Sequence, residues 1–298
     1  MISGRTDDDA LDPDLGTRWH GLRRFAQQRA AVVGAAVIVV LAVVAVLAPV
    51  LAPHDPDAQD LYNTLSGPGT DGHPLGTDKF GRDQLSRLLY GTRVSLIVSL
   101  ASVSIAAVVG VTAGLLAGFV RGPLESVLAR VNDALLALPA ILFFIVVAAV
   151  FGRGLPSIFV GLGLYLSAGV FRVTQAATHS VAAETFIEAE RAIGATRRRI
   201  LVRHVLPNAL SPVMVRLSVG AGVAVTAEAT LSFLGLGVVP PTASWGTMLS
   251  SGFETIQDAP FLVYAPAAMI VVTVLSLTLI GDGLRHAFGT RSMSREAE

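Results

Sequence analysis

The chain has 298 residues, of which 52% are hydrophobic and only 15% charged, against about 25% charged in an ordinary soluble domain. Its 22 Lys+Arg balance its 22 Asp+Glu, so it lacks the basic footprint that nucleic-acid binding requires. The absence of cysteine removes disulfides, thiolate zinc sites, iron–sulfur clusters and Cys nucleophiles. The histidines at 20, 54, 73, 179, 204 and 286 show no ligand-like spacing, and no metal site is expected. The single lysine, Lys79, is followed by Phe80, which excludes a phosphate-cradling G-x-x-x-x-G-K-[ST] loop. No cofactor and no catalytic residue is expected here; if ATP drives this protein, a partner binds it.

A helix of about 20 apolar residues crosses hydrocarbon with its backbone polar groups bonded within the segment. Arg23-Arg24-Phe25 precedes the first such run, Ala30 to about Ala52, which is longer than the apolar region of a cleaved signal. Turn residues follow (Pro53, Pro56, Gly67-Pro68-Gly69, Gly72, Pro74), and the mixed stretch Gly81 to Tyr90 reads as a short helix lying at the interface. Further spans are expected at Val94–Val120, Ala134–Phe151, Leu155–Phe171, about Ala209–Leu236 and about Pro260–Gly281. Gly110, Gly114 and Gly118 give the second span a small-residue face suited to close packing. Arg216 and Glu228 interrupt the fifth span; Arg216 is expected to snorkel toward the cytoplasm.

Arginines fix the expected orientation. Arg18, Arg23, Arg24 and Arg29 precede the first span, Arg121 and Arg130 lie in the second connection, and six more fall between Arg172 and Arg203. The positive-inside rule places these segments and both termini in the cytoplasm. Gly237 to Ala259 carries neither Lys nor Arg and is expected outside. Residues 55–93 are assigned outside although they contain Lys79, Arg82, Arg87 and Arg93, so their side is the open point of the topology. The resulting organisation is a cytoplasmic tail (1–29), a first span with its external segment (30–93), a core (94–285) with a cytoplasmic loop at about 178–208, and a second tail (286–298).

That loop is the most informative stretch. Phe186, Ala189 and Ile193 fall at helical spacing, Ile200, Leu201 and His204 give a second face, and Gly194 between them reads as a helix stop. Two short amphipathic helices joined at a glycine would form a docking knob whose apolar faces need a partner. Glu188-Ala189-Glu190, Gly194 and Leu206-Pro207 match in spacing the E-A-A, three residues, G, nine residues, I, one residue, L-P pattern, with Glu190 at the second Ala and His204 at the Ile. The chain thereby resembles the permease subunits of bacterial ATP-binding cassette (ABC) importers. Leu75-Gly76-Thr77-Asp78, Gly81-Arg82-Asp83, Tyr90-Gly91-Thr92-Arg93, Leu231 to Gly237, Ser244-Trp245-Gly246 and Gly281-Asp282-Gly283-Leu284-Arg285 are similar to the C-type dipeptide and oligopeptide branch.

The resemblance implies an all-α integral membrane protein of the type I importer permease kind, with six transmembrane helices, in the bacterial inner membrane. It also implies partners: a homologous B-type permease, one or two ABC ATPase subunits that bind ATP and Mg, an external solute-binding protein, and membrane lipid. On this footing Glu188, Ala189, Glu190, Gly194, Ala195, Arg198, Ile200, His204, Leu206 and Pro207 form the ATPase-coupling loop. Arg197 to Arg199 also fit the bland role of topology signals facing head groups. Glu228 and Ser232 are assigned to a gate or to helix packing, with contact to substrate and hydrogen bonding to a neighbouring helix both open. Di- or oligopeptide is the expected substrate, with nickel, glutathione or another small solute as alternatives. An intramembrane aspartyl protease would need a second mid-span Asp beside Asp282, and Asp133 lies at a span boundary. A secondary transporter would show inverted repeats, and none is evident.

Overall fold

The computed structural model describes residues 24–70 and 72–289. The two expected tails fall mostly outside these residues, including Arg18 and Arg23. Among the described residues five helices are long and apolar enough to cross a membrane: Arg29–Leu51, Gln84–Val120, Leu155–Ala182, Arg197–Phe233 and Phe261–Ala287. A sixth crossing is available only if the pair Pro123–Ala137 and Ala140–Phe151, bent by 99° at its break, is counted as one. In chain order the helices are α1 (Arg29–Leu51), α2 (Gln84–Val120), α3 (Pro123–Ala137), α4 (Ala140–Phe151), α5 (Leu155–Ala182), α6 (Thr185–Ala192), α7 (Arg197–Ile200), α8 (Leu206–Phe233), α9 (Trp245–Glu254) and α10 (Phe261–Gly289).

Two sequence expectations need correction. The third span, expected as continuous over Ala134–Phe151, is broken at Leu138-Pro139. Proline disfavours the helical conformation in the residue before it, and Leu138 is accordingly extended, with ψ 129°. The 12 residues of α4 reach about 18 Å at 1.5 Å per residue, short of a ~30 Å hydrocarbon core. The separate interfacial helix expected over Gly81–Tyr90 does not exist either, because α2 runs unbroken from Gln84 to Val120. Asp83 starts it by accepting the Ser86 amide at 2.7 Å. Gly91 does not stop it, being held in close approach to Ser244 and Trp245, 3.4 Å from where a Cβ would sit.

The helix pair α2–α5 is the most extensive contact. Added Cβ atoms at Gly110, Gly114 and Gly118 would lie 2.7 Å from Ser167 O, Thr174 Cβ and Thr178 Cβ. The three glycines thus let α5 ride directly on the α2 backbone. A second polar line on α2, Ser95, Ser99 and Ser102, is also buried. Ser99 Oγ donates to Ala221 O of α8 at 2.9 Å, and α8 in turn packs on α5 and α10. The α3 segment is tied to α5 through Glu125, which accepts from Gln175 Nε2 at 3.0 Å and lies 2.9 Å from His179 Nε2. Outermost is α1, seated on α10 where Gly34 approaches Ser276 O. Its opposite face exposes Val39, Val43, Val46 and Val50, an apolar surface that lipid covers.

One end of the bundle is capped by the α1–α2 connection together with α9. Ser244 and Thr247 form a reciprocal capping box at the start of α9, and Trp245, fully buried, packs with Leu88, Val225 and Met248. Gln84 Nε2 donates to Leu262 O at 3.0 Å, Arg87 Nη2 to Pro241 O at 3.3 Å, and Lys79 pairs with Glu254.

Candidate functional site

At the opposite end from α9, α6, α7 and the first turns of α8 build a compact knob. Ile187 of α6 is 0% exposed and packs with Leu115, Ile200 and Val205, so the knob is anchored to the C-terminal end of α2. Phe186, Ala189 and Ile193 point elsewhere and are exposed, Ile193 at 79%. Among the described residues nothing covers that apolar face. Ile200, expected on a docking face, is instead an inward anchor, because α7 turns it under the knob.

Between the helices, Gly194 adopts φ +83°, and the Ala195 amide closes the turn on Glu190 O at 3.0 Å. An added Cβ at Gly194 would meet nothing within 4 Å. Its requirement is therefore purely conformational, a left-handed position that strains side-chain-bearing residues. Thr196 caps α7 by accepting the Arg199 amide at 3.3 Å. Beyond it the chain forms a π-helical turn, Leu201–Val205, in which the Leu206 amide reaches Leu201 O. Pro207 has no amide to donate and its ring crowds the preceding turn; a wider turn relieves both problems. Consequently the second helix of the knob is continuous with the long helix ending at Phe233. This rigid connection is absent from a reading of two free short helices.

Among the motif residues, Glu190 and His204 come together, His204 Nε2 lying 3.4 Å from Glu190 Oε1 outside hydrogen-bonding alignment. The His204 ring faces Phe186 at 6.5 Å. Leu206 and Ala195 pack partly against the Ile187 cluster, while Glu188 and Pro207 are exposed. Arg198 lines an open groove of about 340 Å³ with Thr196, Arg199, Val202 and Arg203, a basic surface on the same knob.

Glu228 is fully buried near the other end of α8. Its Oε2 accepts from Ser95 Oγ of α2 at 2.9 Å and its Oε1 from Ser232 Oγ at 2.8 Å. Ser232 Oγ accepts the Val238 amide at 3.1 Å, and the Trp245 amide lies 3.5 Å from Ser95 Oγ. One carboxylate thus joins α2, α8 and the segment leading into α9, with both oxygens occupied. Ser95 was not singled out in the sequence; its spacing with Ser99 and Ser102 along an otherwise apolar helix was the available signal. Arg216 does not run back to the cytoplasmic end. Its Nη2 would lie 2.2 Å from a Cβ at Gly169 of α5, so the guanidinium occupies the slot that this glycine leaves.

A bundle of apolar helices, a broken span and a protruding helical knob continuous with a long apolar helix define a multi-pass integral membrane protein. Residues 110–293 match the family of binding-protein-dependent transport system inner membrane components, and residues 17–68 match the N-terminal transmembrane domain of oligopeptide transport permease C. The glutathione transport system permease protein GsiD of Pectobacterium atrosepticum is 36% identical over 95% of this chain and 94% of its own length. GsiD of Escherichia coli O157:H7 is 38% identical over 93% and 92%. A Brucella suis protein named as a permease of a peptide transport system is 37% identical over 94% of each chain. In fold, a chain of the inward-facing MetNI methionine ABC transporter superposes with a TM-score of 0.56 at 20% identity, covering 67% of this chain and 96% of that one. The chain belongs to the binding-protein-dependent transport system inner membrane component family, and is a multi-pass permease subunit of the ABC importer kind.

Proposed function

We propose that this chain forms half of a translocation path for short peptides, pairing with a homologous B-type permease, receiving substrate from an external solute-binding protein and taking its motion from ABC ATPase subunits. The observation that carries the reading is the exposed Phe186–Ala189–Ile193 face on a knob that also presents a basic groove at Arg198, Arg199 and Arg203. An exposed apolar strip together with a charged groove on one protruding element fits a protein partner. Movement imposed there passes through α7 and the π-helical turn into α8 without a flexible joint. ATP and Mg are assigned to the ATPase partners, and the role proposed for this chain in transport requires no catalytic residue of its own. Glutathione is the second substrate reading, supported by the GsiD relatives, and it lies within the same chemistry because glutathione is itself a short peptide.

The test is reconstitution of the complete complex in liposomes, with assembly, ATP hydrolysis and uptake measured separately. Labelled di- and oligopeptides should accumulate and compete with one another; accumulation of glutathione alone would select the second reading. Gly194 supplies the coupling probe. At φ +83°, a β-branched side chain costs roughly 1–2 kcal/mol or more, whereas Asn tolerates the left-handed region. Gly194→Val should keep the spans inserted but lose stimulation of hydrolysis by loaded binding protein, and Gly194→Asn should retain most of it. Normal stimulation and uptake in Gly194→Val would remove the coupling assignment.

A further inference from the structure

The connection between α1 and α2 holds a side-chain cluster that transport by the bundle does not use. His54 follows the end of α1, His73 lies in the loop, and Asp83 caps α2. The sequence spacing of these residues gave no hint of a shared site. In the structure His73 Nδ1 lies 2.8 Å from Asp83 Oδ1, and His54 Nδ1 lies 3.9 Å from the same oxygen. The two imidazole rings are 4.6 Å apart, and one donor atom from each of the three residues falls within 4.8 Å of the others.

Each of the three stands on fixed backbone. The His54 amide donates to Ser86 Oγ at 3.1 Å; the His73 amide donates to Thr70 O at 2.8 Å, and the His73 carbonyl accepts from Gly69 and Gly76 at 3.0 Å. Asp83 divides its carboxylate: Oδ2 accepts the Ser86 amide at 2.7 Å, leaving Oδ1 to the imidazoles. Among the described residues no guanidinium pairs with it: Arg82 pairs with Asp78 at 2.7 Å and Arg87 reaches Asp57 at 3.2 Å and Asp78 at 3.7 Å. The Asp83 side chain is 0% exposed, that of His73 12% and that of His54 42%. A buried carboxylate with two imidazoles at its free oxygen, open to solvent on the His54 side, is the donor set of a transition-metal site.

We propose that His54, His73 and Asp83 bind one divalent transition-metal cation, of the zinc class, with water completing the coordination. Two nitrogens and one carboxylate oxygen suit zinc, whereas calcium and magnesium prefer all-oxygen shells. Tetrahedral zinc with bonds of about 2.0–2.2 Å sets its donors roughly 3.3 Å apart. The two carboxylate–imidazole separations of 2.8 and 3.9 Å bracket that value, and with all three donors within 4.8 Å of one another rotation of the His54 side chain is the movement that binding would require. The Ser86 amide on Oδ2 holds the carboxylate for its outer-shell part. Bound metal would staple the end of α1, the loop and the start of α2 into one unit.

The experiment uses the full-length protein, purified through a histidine-free affinity tag, stripped with chelator and titrated with zinc alone against a chromophoric competitor. Wild type should take up one zinc per chain and unfold at a higher temperature when loaded. His73→Gln and His54→Gln should each weaken binding by about tenfold or more. Asp83→Asn should do the same while preserving the α2 cap, since Asn caps as well as Asp. His179→Gln, remote from the cluster, should bind zinc as wild type does. If Asp83→Asn fails to fold, the two histidine variants decide. Absence of stoichiometric zinc in wild type, or unchanged affinity in the cluster variants, would overturn the proposal and leave a hydrogen-bonded His–carboxylate cluster.

Discussion

A carboxyl group inside a membrane bundle is costly unless each of its oxygens finds a hydrogen-bond donor. Glu228 meets that condition through Ser95 and Ser232, and the consequence is testable by changing charge and shape separately. Glu228→Gln keeps an acceptor for one serine and should retain assembly and most uptake. Glu228→Leu strands two buried hydroxyls at a cost of about 1–3 kcal/mol each, and should lower the thermal midpoint of the assembled complex. Equal loss of uptake in both variants with assembly intact would show that the charge itself acts in transport. At the loop end, Asp60 accepts from Asn63 Nδ2 at 2.8 Å and from the Tyr62 amide at 3.1 Å. The Asn63 bond, then the Tyr62 amide, hold its carboxyl below the ordinary value. A folded value below the unfolded one means that the turn's stability is fully present above the unfolded value and is lost as pH falls through the folded one. Exchange protection of the Tyr62 and Asn63 amides should therefore fall in acid in wild type, and Asp60→Asn should remove that dependence. A flat acid profile in wild type would contradict this.

Helix contacts in this bundle are set by what is missing as much as by what is present. At Gly114 a Cβ would sit 2.7 Å from Thr174 Cβ and 2.8 Å from Phe171 O, and a backbone carbonyl cannot swing aside. Gly114→Leu is expected to push α5 off α2 and to destabilise the protein by about 1–3 kcal/mol or more, seen as a lower detergent unfolding midpoint and reduced yield. Gly122→Ala, where an added Cβ meets no neighbour, should be far milder, its cost confined to the positive φ of 78°. The repeat of Gly110, Gly114 and Gly118 made this interface readable from sequence, because close approach leaves a periodic trace. The breaks were less readable. Pro139 lies inside a run of apolar residues, and hydropathy alone treats that run as continuous. The π-helical turn ahead of Pro207 leaves no hydropathy trace either, so the joint between knob and α8 emerged only with the backbone. Glu190 and His204 were legible as motif members but not as neighbours, since their contact depends on how the Gly194 turn folds α7 back. Likewise His54, His73 and Asp83 belong to separate segments, and only the closed loop brings them together.

Across the whole molecule the chemistry is divided between two ends: the knob with its apolar strip and arginines at one, and the capped α1–α2 connection with α9 at the other. Their assignment to opposite faces of the membrane rests on arginine placement, which is ambiguous for residues 55–93 because Lys79, Arg82, Arg87 and Arg93 all lie there. For three of those four cations the structure supplies a reason that is independent of topology. Arg82 is held by Asp78, Arg87 by Asp57 and Asp78, and Lys79 by Glu254 of α9. Residues 55–93 and α9 therefore share one end, and α9 lies in the segment without Lys or Arg. Because the chain has no cysteine, the arrangement can be read with single cysteines and a membrane-impermeant reagent in intact cells. Thr70, exposed in the loop, and Thr242, exposed ahead of α9, should label from outside, and Thr196, exposed at the start of α7, only after the membrane is opened. Labelling of Thr70 and Thr242 must agree whichever way the protein is inserted, since the Lys79–Glu254 pair and the bond from Arg87 to Pro241 O hold their segments together. Disagreement between those two would contradict the packing itself, whereas agreement with the opposite sidedness would reverse the topology and leave the packing intact.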